Sequence, residues 1–208
     1  MTVIDHFVVA AGDLDQATTW FADQTGVAPT PGGAHPGVGT RNALVSLGER
    51  TYIELIAPDP DQPEPASPRP FGIDAIDTPR LVTFAVCPDD IDDAAARLKA
   101  EAGVDLGVVY AMSRRRPDGV ELSWRLTRSV YPEGGGLVPF LIDWGDTPHP
   151  AASAATGCAL DAVALRHPRP DTVEAVLSVL ELAIPVGSGD EPGLTVSLQT
   201  PRGSVELG

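Results

Sequence analysis

The chain has 208 residues, 43% of them hydrophobic, which is enough for one large core or two small ones. Its formal net charge is −15, which argues against nucleic acid or an anionic membrane surface as partner. No apolar run approaches the ~18 residues that a membrane span needs.

Residues 3–9, Val-Ile-Asp-His-Phe-Val-Val, read as a strand with His6 in its middle. No secretory leader is expected, because the N-terminus runs straight into this strand pattern with Asp5 in it. The other histidines, His35, His149 and His167, each precede a proline and are expected in loops. A helix follows, with Asp13 as expected N-cap and Gly26 just past its end. Strands are expected at 43–47 and 51–56, the first opened by Gly39-Thr40-Arg41-Asn42. Residues 57–80 hold seven prolines among acidic residues and read as a wrapping connection.

Residues 81–104 then repeat residues 4–27 at an offset of 77 without a gap. Phe7 meets Phe84, Val9 meets Val86, Asp13 meets Asp90 and Gly26 meets Gly103. Three strands are expected after this second helix, at 108–112, 120–127 and 137–144. Between the first two, Arg116-Pro117-Asp118-Gly119 suits a type I turn. A second connection spans 145–157. A weaker third copy opens with Leu160-Asp161-Ala162-Val163, an echo of Ile4-Asp5-His6-Phe7. Its helix is expected to start at Pro170, capped by Asp171 with Glu174 as capping-box partner, and to close at Pro185. Strands at 194–200 and 204–207 complete it. The expected fold is α+β: repeated βαβββ modules with curved mixed sheets enclosing a pocket, the third copy shortened. The modules span 1–58, 81–145 and 158–208, joined by 59–80 and 146–157 into one compact unit.

Ile4-Asp5-His6-Phe7-Val8-Val9 and Tyr52-Ile53-Glu54-Leu55-Ile56-Ala57-Pro58, set in such repeated units, resemble the glyoxalase / bleomycin-resistance / extradiol-dioxygenase superfamily, the vicinal oxygen chelate proteins. Ser113 to Gly119, Trp124 and Pro139 to Trp144 look like its glyoxalase-like branch. The resemblance implies a small-molecule ligand, a homodimer and a site built on first-strand His6 and last-strand Glu54. The cofactor it implies is one divalent metal ion. At the matching positions the second copy has Thr83 and Phe140, and the third has Ala162 and Glu206. His6, Glu54 and Glu206 are therefore the three-ligand set the resemblance offers. The activities it implies are of lyase, isomerase or dioxygenase type on a small oxygenated or acidic metabolite. The alternative is non-catalytic sequestration of the bleomycin-resistance type.

The residues alone also allow His6 to be a buried histidine bonded to a neighbour such as Glu54; with the resemblance, His6 and Glu54 become the candidate catalytic pair, since a carboxylate beside an imidazole orients it as a base. Strand alternation puts Tyr52, Glu54 and Ile56 on one face. Asn42 is a candidate donor to a ligand oxygen. In the run Arg114-Arg115-Arg116, Arg116 is the arginine expected to capture an anion. Trp124, Phe140 and Trp144 are expected to form an apolar cup for the ligand. Cys87 and Cys158, without a Cys-x-x-Cys motif, read as inert thiols in a reduced cytoplasmic setting. There is no glycine-rich phosphate loop, no Gly-x-Ser-x-Gly and no zinc-ribbon spacing.

Overall fold

The computed structural model describes residues 1–116, 118–127 and 134–208. Three βαβββ units follow one another. The first is β1 (Val3–Ala10), α1 (Leu14–Thr25), β2 (Thr30–His35), β3 (Thr40–Ser46) and β4 (Tyr52–Pro58). The second is β5 (Arg80–Cys87), α2 (Ile91–Glu101), β6 (Val109–Arg115), β7 (Glu121–Thr127) and β8 (Phe140–Asp143). The third is β9 (Ala159–His167), α3 (Pro170–Val179), β10 (Val186–Ser188), β11 (Gly193–Thr200) and β12 (Gly203–Leu207), shortened chiefly in its three-residue β10.

Local chemistry sets the helix limits. The Asp13 carboxylate accepts the Gln16 amide at 2.7 Å, and Gly26 takes the left-handed φ of 78° while its N–H donates to Ala22. Asp90 accepts from the amides of Asp92 and Asp93. Asp13→Ala is expected to cost about 1 kcal/mol, read as a lower urea midpoint with an unchanged slope. In α3 the expected cap is corrected. The helix opens with Pro170 at its first position and Arg169 as N-cap without a side-chain bond, so Asp171 lies inside the first turn. Proline has no N–H to lose there, and the acid next to it still favours the positive helix end. The helix also ends at Val179, well before Pro185.

The first two units share one eight-stranded sheet of order β2-β3-β4-β1-β5-β8-β7-β6. They meet where β1 runs antiparallel to β5, with Phe7 opposite Phe84. Within each unit the last strand lies parallel beside the first, β4 on β1 and β8 on β5. The sheet curls until its two edges approach, and the Arg114 guanidinium of β6 donates to the Gly32 carbonyl of β2 at 2.7 Å. The third unit forms its own sheet of order β10-β9-β11-β12. Here the last strand is not beside the first: β12 is an edge strand, separated from β9 by β11.

Strand alternation separates two cores. Phe7, Val9, Ile53, Leu55, Phe84 and Val86 face outward and pack with all three helices and with Leu165, Val196 and Leu198 of the small sheet. Val8, Ala10, Tyr52, Ile56, Trp124, Phe140, Ile142 and Trp144 face the concave side. The two connections close over that side: Ile73 and Ile76 come from the proline-rich segment, and Ala151 and Ala154 from the stretch after Trp144. Among the described residues no helix is long and apolar enough to cross a membrane.

Two of the three histidines expected in loops are strand ends instead. His35 closes β2 and His167 closes β9, both buried. A following proline demands an extended backbone, and the last residue of a strand meets that demand as well as a loop does. Pro117, placed by sequence at the β6–β7 turn, lies outside the described residues. The turn's other residues hold a bond from the Gly119 amide to the Arg116 carbonyl at 2.9 Å.

Candidate functional site

The concave face brings His6 and Glu54 together. In the parallel β1–β4 pair, His6 is in register with Tyr52 and Val8 with Glu54. His6 therefore stacks on the Tyr52 ring, centroids 4.6 Å apart and ring planes 20° from parallel. Its Nε2 stands 3.7 Å from Glu54 Oε2. Both side chains are buried, as a charged or polar pair inside a protein should be only with partners.

Those partners come from several elements. Asn42 on β3 donates from Nδ2 to Glu54 Oε1 at 2.6 Å, and the same amide nitrogen lies 3.3 Å from His35 Nε2. An amide nitrogen has only donors, so His35 Nε2 accepts and its Nδ1 donates to Thr40 Oγ1 at 3.0 Å. That is a neutral imidazole, and burial pushes its pKa below the ordinary value, against the pull of Glu54. Asn42 also needs Gly32. A Cβ on Gly32 would collide with Asn42 Oδ1. Gly32→Ala is therefore expected to displace Asn42 from Glu54 and to cost about 1–3 kcal/mol in a urea melt.

Asp5 is a site residue that alternation hides. By strict period it should point outward with Phe7 and Val9. The β1–β5 register slips between Ile4 and His6, so Asp5 is the extra residue of a bulge. The bulge turns its carboxylate to the concave side, where it is fully enclosed. There it accepts from His6 Nδ1 at 2.6 Å, Trp144 Nε1 at 3.0 Å and His149 Nε2 at 3.0 Å. Burial alone would raise its pKa. The bonds from His149 and His6, with their charges, outweigh burial and hold the carboxyl at about 2. An ionised carboxylate can only accept, so His6 Nδ1 carries the proton toward Asp5.

Aromatic side chains wall the rest. Phe140 meets the His6 ring edge-on at 5.3 Å, and Trp124 and Trp144 lie 5.3 Å apart. Phe140 thus occupies the second unit's counterpart of the Glu54 position, and Thr83 the counterpart of His6. Burial pushes the Tyr52 phenol well above its ordinary pKa, so its hydroxyl stays protonated.

Two residues singled out from the sequence are not brought here. Glu206 lies on edge strand β12 of the small sheet, exposed and accepting from Ser197 Oγ. The third unit's strand order removes the analogy with Glu54, because its last strand does not flank its first. Arg116 ends at the hairpin turn, its guanidinium 2.5 Å from Asp118. The buried arginine is instead Arg114, two residues earlier on the same face. Its charge acts on Tyr52 and Glu54. His35, His149, Asp5 and Arg114 were not legible as site residues. Flanking prolines masked both histidines, the bulge masked Asp5, and the arginine run left the choice within it open.

A divalent ion does not fit this donor set. Glu54 Oε1 and His35 Nε2 already take the Asn42 amide hydrogens, and Glu206 is elsewhere. Among the described residues no group of three His, Cys, Asp or Glu is arranged to hold a metal.

Comparison with known proteins agrees with this architecture. A family model described as a glyoxalase-like domain matches residues 4–180. A hypothetical protein from Staphylococcus aureus is similar at 16% identity and a TM-score of 0.69, over 100% of this chain and 99% of that one. A mutant 4-hydroxymandelate synthase from Streptomyces coelicolor is similar at 16% identity and a TM-score of 0.51, over 99% of this chain and 62% of that one. A methylmalonyl-CoA epimerase from Mycobacterium tuberculosis reaches 22% identity and a TM-score of 0.40, over 67% and 84%. The first two of these likenesses concern the fold. No curated protein matches the chain.

Proposed function

The chain belongs to the glyoxalase-like domain family, and from that premise we propose an enzyme of small oxygenated metabolites in which His6 moves a proton at a carbon beside a carbonyl. One observation carries the reading: Asp5 holds His6 by Nδ1 on the enclosed concave wall, so that Nε2 is the nitrogen left facing the interior. A general base needs a fixed lone pair within reach of the substrate, and a carboxylate behind an imidazole supplies the fixing. Glu54 lies on the far side of Nε2, where it stabilises the imidazolium formed when the proton is taken. Tyr52, stacked on His6 and kept protonated by burial, offers a donor for the oxygen that gains charge. Of the reaction types open to the family, this is the isomerase or lyase type, and no step runs through a metal. The two free cysteines, Cys87 and Cys158, suit a reducing cytoplasmic setting.

A second reading has its own observation. Phe140 in place of a glutamate, with Trp124 and Trp144 beside it, makes an apolar wall suited to sequestration of a ligand without chemistry. Incubation in D2O with pyruvate, 2-oxobutanoate and butanone, followed by proton NMR, separates the two. Faster deuterium uptake beside the carbonyl of at least one compound supports the enzyme. Uptake at the buffer rate for all three, with any of them bound, supports sequestration.

A further inference from the structure

We infer that Arg114 is the anion anchor of the concave site, and that its ligand is a small monocarboxylate, a 2-oxo acid. The inference rests on the proton-transfer reading for the chemistry and on Arg114 alone for the charge. Arg114 is 4% exposed. Among the described residues its hydrogen-bond partner is the Gly32 carbonyl, and no carboxylate pairs with it directly. A guanidinium has five N–H donors and no acceptor, and burying one without a counter-ion is costly. Its charge is felt by Tyr52, Glu54 and His35 of the concave site. Glu54 is no substitute for a counter-ion, because Asn42 takes one oxygen and the other faces His6.

The charge inventory favours a monocarboxylate over a phosphate. The site already holds the Asp5 and Glu54 carboxylates against one arginine, so a dianion would be repelled. The planar fork matches a carboxylate in two parallel bonds. Tyr52, Phe140 and Trp124 are the surfaces left for a short carbon chain. With the carboxylate held by Arg114, the neighbouring carbonyl carbon's substituent is presented toward His6. The C–H bond breaks, its electron pair passes to the carbonyl oxygen, and the proton goes to His6 Nε2. The return step reverses this, with no oxidant or reductant.

The test uses tryptophan fluorescence to titrate the whole protein with pyruvate and 2-oxobutanoate, each beside its neutral amide. Wild type is expected to bind at least one acid about ten- to a hundred-fold more tightly than its amide. Arg114→Gln is expected to remove that preference, the acid then binding no more tightly than its amide. Because Arg114 also ties β6 to β2, the wild-type comparison stands without any variant: no acid preferred over its amide overturns the anchor. A folded Arg114→Gln that keeps the preference also overturns it. Acid binding through Arg114 without deuterium uptake overturns the proton-transfer reading and leaves the anchor. Uptake into butanone with no acid preference does the reverse.

Discussion

Asp5→Ala is expected to lower stability by about 3–5 kcal/mol at pH 7, read from urea unfolding. The residue sits at the join of the two units, and its carboxylate is the common acceptor for His6, Trp144 and His149. Removing it leaves buried donors on β1, on the residue that follows β8 and in the connection beyond without an acceptor. The same substitution carries a pH signature. The folded Asp5 pKa of about 2 lies below its ordinary 3.8, so its stabilisation is complete above pH 4. It is lost as pH falls through 2. The gap between wild type and Asp5→Ala should therefore shrink by about 2 kcal/mol between pH 5 and pH 2. A gap that stays constant over that range would mean that Asp5 is not held ionised by its neighbours.

His6→Gln carries the second large effect. Glutamine keeps a donor for Asp5 and much of the volume against Tyr52 and Phe140, so the fold should survive. It cannot take a proton at neutral pH. Loss of a positioned general base costs on the order of 10²–10⁴ in rate. Deuterium uptake should fall by that factor while binding of the same acid, followed by tryptophan fluorescence, stays within about threefold of wild type, a difference under 1 kcal/mol.

The sequence and the structure agree where local rules decide. The gapless repeat marked β1 and β5 as equivalent strands, though not as neighbours, and the Asp caps set where α1 and α2 begin. Alternation put Glu54 with Tyr52 and Ile56 on one face of β4, and the resemblance joined His6 to it. Other features depend on contacts that no local pattern encodes. β2 has the composition of a loop, Thr-Pro-Gly-Gly-Ala-His, and is a strand because it lies at the sheet edge, where a missing N–H and missing side chains cost least. Glu206 looked equivalent to Glu54 because both sit near the end of a unit. The equivalence fails in the order of the strands, which sequence similarity does not specify. Asp5 was hidden by a one-residue bulge, enough to reverse the face of a side chain. Arg114 and Arg116 share a strand parity, so only the position of the hairpin end distinguishes the buried one from the one paired with Asp118.

The most direct test of His6 as the proton-moving group is deuterium uptake into a 2-oxo acid at saturating concentration, wild type beside His6→Gln. The expected result is uptake well above buffer for wild type and a drop of about 10²–10⁴ for the variant at equal occupancy. Uptake by wild type at the buffer rate, or equal uptake by both proteins, would contradict it.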